Sequence, residues 1–342
     1  MHIDGLPIGI AAGGNHTVVL LSSGSAFASG ENADGRCGYD PAMVSLESRF
    51  ARVKIQLSPL LVIDKFKFCA ATWEATTFVT HDNEVYSCGM GSKGQLGIGD
   101  GVTHSVLPQR IWKFPPAETE IISIASCMAH TVVVLSNGDA YGWGDGRKGQ
   151  LGKPAAIVWS PRKIEGITFH VKRAACGREF TYLVGNPEDG HHDVLGLNKW
   201  GVQSSMPDSI RDWKDIGASW GSIFVLQRDN RLLSWGRDDH GQLAPAGMPR
   251  LQKIATGSEH ALGLTLDGKL LTWGWGEHGN CGPELDDDGD VKGRWNEIPL
   301  PRVGTGVIPL ASGIGAGCAS SWVFTDDIAK AANKDAEDSK VV

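Results

Sequence analysis

The chain has 342 residues with a formal net charge of −7 and a sequence pI near 5.9, and it carries 45 glycines and 12 tryptophans. An acidic surface repels phosphate backbones and anionic lipid. Basic residues group only in pairs, Arg147-Lys148, Arg162-Lys163 and Lys172-Arg173, so direct DNA binding is disfavoured. No run approaches the ~20 apolar residues of a membrane span, and the start, Met1 to Pro7, has neither the basic nor the apolar region of a signal peptide.

Taken in order, the chain repeats itself. Ile10 to His16 leads into Thr17-Val-Val-Leu20, a turn at Ser23-Gly24, and Ala26 to Gly30. The same succession returns from Ile124 through His130, Asn137-Gly138 and Gly144, and again from Ile254 through His260, Asp267-Gly268 and Gly274. In all three, 14 residues separate the histidine from the closing glycine. Ala75 before Gly89 and Ser222 before Gly236 repeat that interval. Phe180 marks a degenerate copy ending near Leu195-Gly196 or Trp200-Gly201, and Ser320 marks a last one. The anchors 16, 75, 130, 180, 222, 260 and 320 define seven units.

Each unit reads as strand, tight turn, strand, two-residue hairpin, strand. The segments after the anchors are β-branched and apolar, as strands buried on both faces require. The Asn-Gly and Asp-Gly pairs suit type I′ turns. Units of this length with three or four strands match propeller blades. The expected fold is an all-β, seven-bladed propeller over residues 1–325, with a flexible tail over 326–342. The last unit stops after Trp322-Val-Phe324 with no Trp-Gly strand following, so the expectation is an incomplete seventh blade or a chain whose natural beginning is missing. Residues 39–65, 98–120 and 283–309 read as longer connections between units.

Residues that resemble chemistry resolve into structural readings. Gly89-x-Gly91-x-x-Gly94, Gly144-x-Gly146-x-x-Gly149 and Gly274-x-Gly276-x-x-Gly279 match a dinucleotide fingerprint, but each is followed by a further glycine turn where that fingerprint needs a helix. They are read as structural turns. His16, His130 and His260 occupy one repeat slot that Ala, Phe or Ser fills elsewhere, so they are read as structural histidines bonded to a neighbouring turn. Asp286 to Asp290 lacks the glycine that a calcium loop needs at its sixth position, where Val291 stands. The seven cysteines, Cys37, Cys69, Cys88, Cys127, Cys176, Cys281 and Cys318, are odd in number and contain no C-x-x-C pair. Reduced thiols in a cytosolic or nuclear protein are the reading. No catalytic, cofactor or metal motif is found, and a non-enzymatic role is expected.

The meander sets polarity. The turn before each anchor and the loop after each Trp-Gly flank the same strand pair and share one end of the propeller. The residues presented there vary from unit to unit, as a protein-binding surface requires. The candidate partner-binding residues are Trp73, Glu74, Arg178, Trp220, Asp238, His240, Glu259, Trp275, Glu277 and His278. For Trp73 and Trp220 the alternative is that they fold back over the core.

The stretches Gly142-Trp143-Gly144 to Gly149-Gln-Leu-Gly152 and Trp235-Gly236 to Gly241-Gln-Leu243 resemble the regulator of chromosome condensation repeat, over roughly residues 9–325. That resemblance implies a seven-bladed propeller. The bare propeller and the stretch Trp273 to Gly282 are similar to the fungal alpha-tubulin suppressor branch, the Elongator-associated killer-toxin-insensitivity propellers. This implies a partner role. Such proteins bind the small zinc-ribbon electron carrier of diphthamide synthesis and support diphthamide formation and Elongator-dependent modification of wobble uridine in tRNA. The alternative is guanine-nucleotide exchange on a Ran-like small GTPase, the founding member's activity, although no counterpart of that member's basic nuclear tail is recognised here.

Overall fold

The computed structural model describes residues 5–43, 50–300 and 311–325. The tail expected over 326–342 lies outside the described residues. The described chain is a ring of antiparallel meanders, each radiating from a central axis.

Blade 1 contains Pro7–Ala12, His16–Leu21, Ala26–Gly30 and Ala51–Arg52, and blade 2 contains Phe66–Ala71, Ala75–Thr80, Val85–Met90 and His104–Arg110. Blade 3 is Ile121–Cys127, His130–Leu135, Ala140–Asp145 and Ile157–Lys163. Blades 4 and 5 have three strands each, Arg173–Cys176, Phe180–Val184 and His192–Gly196, then Trp213–Ala218, Ser222–Gln227 and Leu232–Gly236. Blade 6 returns to four, Leu251–Thr256, His260–Thr265, Leu270–Trp275 and Asp290–Ile298. Among the described residues, Ala311–Ala316 and Ser321–Thr325 form the sheet in the remaining sector.

Among the described residues the ring therefore has six blades, not the seven expected, and a two-stranded seventh sector. It is closed by packing: Ala311–Ala316 contacts both Leu251–Thr256 and Pro7–Ala12. Gly315 makes that approach possible, since a Cβ there would collide with the Ile10 side chain.

The second strand of six sectors begins at the anchor read from the sequence. All six residues of His16–Leu21, Ala75–Thr80, His130–Leu135 and His260–Thr265 are buried. Two sequence expectations need correction. The fourth strands lie inside segments read as plain connections. His104–Arg110 is mostly exposed, so it carries no apolar alternation to betray it. The hairpins are also not two-residue type I′ turns. Gly138 N–H donates to the Leu135 carbonyl at 2.9 Å and Leu135 N–H to the Asp139 carbonyl at 2.9 Å. Gly138 alone takes positive φ (86°), so Ser136-Asn137-Gly138 is a three-residue loop with its glycine in the left-handed position.

Neighbouring sectors are joined at one recurring point, a backbone carbonyl in the glycine-rich loop after the third strand. In three of the six junctions from blade 1 to the seventh sector the next blade's indole reaches it: Trp143 Nε1–H donates to the Gln95 carbonyl (3.0 Å), Trp235 to Val202 (2.9 Å) and Trp273 to Gln242 (3.0 Å). In the others a hydroxyl does: Thr76 Oγ1 donates to the Arg36 carbonyl (2.6 Å), Thr181 to Gln150 (2.7 Å) and Ser321 to Asn280 (2.7 Å).

The histidines belong to the second kind. His16 Nε2 lies 2.8 Å from Thr76 Oγ1, His130 Nε2 3.1 Å from Thr181 Oγ1, and His260 Nε2 3.1 Å from Ser321 Oγ. Each hydroxyl proton is already given to a carbonyl, so the oxygen accepts and Nε2 carries the imidazole proton. Nδ1 is left bare and has no hydrogen-bond partner at any of the three. A second proton would have nowhere to go, and burial lowers all three from the ordinary 6.5 to about 4. This geometry gives the histidines a structural role, but their partner is a hydroxyl on the next sector's second strand rather than the neighbouring turn expected. Where the anchor is Phe180, Ser222 or Ala75, the next blade supplies an indole instead.

Two outcomes are expected. Thr181→Val should lower stability by about 2–3 kcal/mol in urea unfolding, because it strands both the Gln150 carbonyl and His130 N–H in a buried site. The histidines also set a pH dependence. Their folded pKa is depressed, so unfolding takes up protons between pH 6.5 and about 4, and stability falls as pH drops through that window. His130→Phe, which copies the residue at the blade 4 anchor, should flatten the slope there by about 1.4 kcal/mol per pH unit.

Candidate functional site

The polarity inferred from the meander holds, since His130 pairs with Gly144 and His260 with Gly274, placing the pre-anchor turns and post-Trp-Gly loops at one end. The three glycine-rich motifs at that end are consecutive turns. Gly94 N–H donates to Gly91, Gly97 to Gly94, Gly149 to Gly146 and Gly152 to Gly149, each at 2.9–3.0 Å. The Gly276-Gly279-Gly282 run repeats this at 2.8 and 3.2 Å. No helix follows any of them.

The pre-anchor turns are tied to one another by backbone bonds around the axis. Gly14 N–H donates to Trp73 (2.9 Å), Trp73 to Met128 (2.7 Å), Trp220 to Ser258 (2.8 Å) and Ser258 to Gly317 (3.2 Å). Trp73 and Trp220, from blades 2 and 5, meet across the mouth of the axial channel with ring centroids 6.0 Å apart. Residues from all seven sectors converge beneath them. Below lies a channel of 680 Å³ lined by Ile10, Phe68, Ile124, Ile216 and the small residues of the inner strands. Both tryptophans are half-buried. They fold back over the channel and still offer an edge to solvent.

From Trp220 a continuous polar and aromatic arc runs over blades 4 to 6. The exposed Arg178 guanidinium lies over the Trp220 ring at 5.0 Å, and Arg237 lies over the Trp200 ring at 4.6 Å. These two stacks flank a small cleft that also takes in Phe180 and Glu259. Arg237 bonds Asp239 through Nε and Nη2 at 2.6 and 2.8 Å, and its Nη1 pairs with Glu259. Gln242 Nε2 donates to both Glu259 (2.8 Å) and Asp239 (3.0 Å). Burial alone would raise Asp239, but its bonds from Arg237 and Gln242 outweigh it and bring the carboxyl down to about 2. Glu259 is only 4% exposed, and burial holds its carboxyl above the ordinary value despite the same partners.

The arc continues outward. His240 Nδ1 donates to the buried Asp290 carboxylate at 3.0–3.1 Å, and its ring lies 6.2 Å from Trp275, which is 5.0 Å from His278. Glu277 and His278 are exposed at the tip of that loop. The acidic run beside it is a turn: the Asp286 carboxylate accepts the Asp288 and Asp290 N–H groups at 3.1 and 2.7 Å.

The structure thus brings Arg178, Trp220, His240, Trp275, Glu277 and His278 onto one side of the rim, with Glu259 buried beneath it and Trp73 meeting Trp220 from blade 2. Three residues depart from the expectation. Glu259 is a buried brace for Arg237 rather than a rim contact. Asp238 is exposed but spends one oxygen accepting Leu243 N–H at 3.0 Å, so it shapes its loop. Glu74 stands on blade 2, away from the arc. Trp200 and Arg237 were missed by sequence reasoning. Trp200 is 37% exposed, and it stood in the sequence as the end of the degenerate repeat rather than as a loop aromatic. Nothing in the spacing from 178 to 237 announces that these residues meet.

The brace makes a testable distinction. Glu259→Ala should cost about 1–3 kcal/mol in urea unfolding, because it leaves Arg237 and Gln242 without their buried acceptor. Glu277→Ala, at an exposed tip, should change it by less than about 0.5 kcal/mol.

Comparison with known proteins places this architecture. Residues 2–321 match the RCC1-like domain model. An RCC1 repeat-containing protein of Schizosaccharomyces pombe is 30% identical over 73% of this chain and 73% of its own length. The human regulator of chromosome condensation is 24% identical over 68% of this chain and 60% of its own, and the bovine secretion-regulating guanine nucleotide exchange factor 26% over 68% and 53%. The chain therefore spans just over half the length of the latter two. The crystal structure of Saccharomyces cerevisiae Prp20p superposes with a TM-score of 0.75 at 20% identity, covering 98% of this chain and 86% of that one, which shows the fold. A likeness throughout the ring, together with a family model matching nearly the whole chain, makes this protein a member of the RCC1-like domain family.

Proposed function

We propose that this propeller is a non-catalytic adaptor that holds a small folded protein against the rim of blades 4 to 6. The observation that carries the reading is the pair of Arg–Trp stacks, Arg178 on Trp220 and Arg237 on Trp200, flanking one cleft. Tryptophan and arginine held rigid at a partly desolvated cleft are the residue types that dominate binding energy at protein interfaces. The Arg237–Asp239–Glu259–Gln242 network fixes one stack before any partner arrives, which reduces the ordering cost of association. Trp275, Glu277 and His278 extend the surface along blade 6.

The partner favoured is the small zinc-ribbon electron carrier of diphthamide synthesis, with support of diphthamide formation and Elongator-dependent wobble-uridine modification following from that complex. The likeness of Trp273 to Gly282 to the fungal alpha-tubulin suppressor branch supports this, and that stretch includes the exposed end of the arc. A cytosolic protein, also present in the nucleus, fits the role and the seven free thiols. A second reading, exchange of guanine nucleotide on a Ran-like GTPase, is supported by relatives named as exchange factors and by Prp20p, whose binding to Gsp1p and histones has been described.

Titration with a purified zinc-ribbon carrier separates the two. Trp200→Ala and Arg178→Ala should each weaken binding roughly tenfold or more while leaving circular dichroism unchanged. The chain should not accelerate nucleotide release from a Ran-like GTPase. Acceleration without zinc-ribbon binding would establish the second reading.

A further inference from the structure

The two Arg–Trp stacks that flank the rim cleft differ in what their guanidinium groups have left to give. Arg237 is spent: its N–H groups bond Asp239 and Glu259, and Gln242 completes that network. Arg178 is exposed and lies over the Trp220 ring, and among the described residues its side-chain N–H groups meet no acceptor. Lys199 is also exposed, with its ammonium 5.1 Å from the Trp200 ring and no carboxylate within 4 Å among those residues. Both cations line the same cleft.

That cleft is built into the fold. Position 221, just before the anchor of blade 5, is glycine, where other units place Asn15, Glu74, Ala129, Glu179 and Glu259. A Cβ at Gly221 would stand 2.8 Å from both Trp200 Cδ1 and Arg237 Cβ, so a side chain there would push the second stack off the Trp220 turn. Phe180 and Val202, both buried, line the cleft from the core side. Its volume is 40 Å³. At roughly 10–15 Å³ for each water-sized group, that admits a Val or Leu side chain and excludes an indole.

The surroundings select the kind of anion. Glu179 also lines the cleft. Further along the rim Glu277, Glu284, Asp286, Asp287 and Asp288 are exposed, with no Lys or Arg within 4 Å among the described residues. A nucleic-acid backbone, charged at every phosphate, would meet these carboxylates as well as the two cations. A short peptide carrying carboxylates only where the cations stand avoids them.

We infer that the partner of this rim offers an acidic–aliphatic segment: a Val or Leu side chain enters the cleft, one flanking carboxylate accepts two parallel N–H bonds from Arg178, and the other meets Lys199. A planar fork on a carboxylate joins charge to direction, and the flanking indoles exclude water from it. The inference rests on the adaptor reading of this rim, and it gives the two stacks different roles. Arg178 contacts the partner, whereas Arg237 holds Trp200 in place.

The test uses the full chain and a fluorescein-labelled peptide reading Gly-Glu-Leu-Glu-Gly. Saturable one-to-one binding with a Kd below about 1 mM is expected. Gly-Gln-Leu-Gln-Gly and Gly-Glu-Trp-Glu-Gly should each bind at least about tenfold more weakly. Arg178→Lys, which keeps the charge and loses the fork, should weaken binding about fivefold. Arg178→Glu and Lys199→Glu should each weaken it at least about tenfold. Lys54→Glu makes the same change of charge at an exposed position on the opposite end and should leave binding unchanged. No binding at about 1 mM peptide, equal binding of the Gln peptide, indifference to Arg178→Glu, or displacement of the peptide by a tighter-binding oligouridine would each overturn the inference. Should a variant not fold, the Gln and Trp peptides decide on the unaltered chain. The purified zinc-ribbon carrier keeps the two readings apart. Equal carrier binding by the unaltered chain and Arg178→Glu retains the adaptor and sinks the acidic segment, whereas peptide binding through Arg178 without carrier binding retains the segment and removes the carrier.

Discussion

Six of the ring's seven junctions rest on one loop carbonyl each. A propeller has no single core; each blade packs on its neighbours, so whatever aligns one blade with the next determines whether the ring closes. Here a buried loop carbonyl must be satisfied six times, at Arg36, Gln95, Gln150, Val202, Gln242 and Asn280. Leaving such a group unpaired away from water is costly. Two chemistries meet the need. An indole from the next third strand fills space and donates in one stroke, whereas a Thr or Ser hydroxyl is small and needs an imidazole behind it to fill the volume and hold the oxygen. That is why the three anchor histidines and the three bonded indoles never serve the same junction.

The same division explains why one end of the ring is free to vary. With alignment fixed by strand-embedded groups, the pre-anchor turns are tied to one another mainly by N–H to carbonyl bonds, to which Ser258 Oγ adds one to the Cys318 carbonyl. Side chains there are released for other uses. Trp73 and Trp220 close the channel mouth, while Arg178, Trp200 and Arg237 build the paired stacks of the rim. The network around Glu259 shows how an acidic residue that looks exposed in sequence becomes internal. Arg237 reaches back over the turn of the following blade, and Gln242 of its own loop completes the coordination.

The anchors, the strand that follows each of them, the polarity of the meander and the structural role of the histidines were legible in the residues. Each depends on short-range pattern: a fixed 14-residue interval, a run of β-branched residues, glycine at the turns. Outer strands such as His104–Arg110 were not legible, because a strand exposed on its outer face need not alternate apolar and polar residues. Trp200 and Arg237 were hidden for a different reason. They stand 37 positions apart and become neighbours only because blades 4 and 5 have short connections and sit side by side.

The sequence by itself determined the repeating unit, because a blade's hydrogen bonds and buried faces are specified within some fifty residues. Tertiary structure alone decided the Trp73–Trp220 closure, the burial of Glu259 and, among the described residues, the number of complete blades. All three are relations between sectors distant in the chain. They follow from how the ring angle brings blade faces together, a quantity that no local pattern encodes.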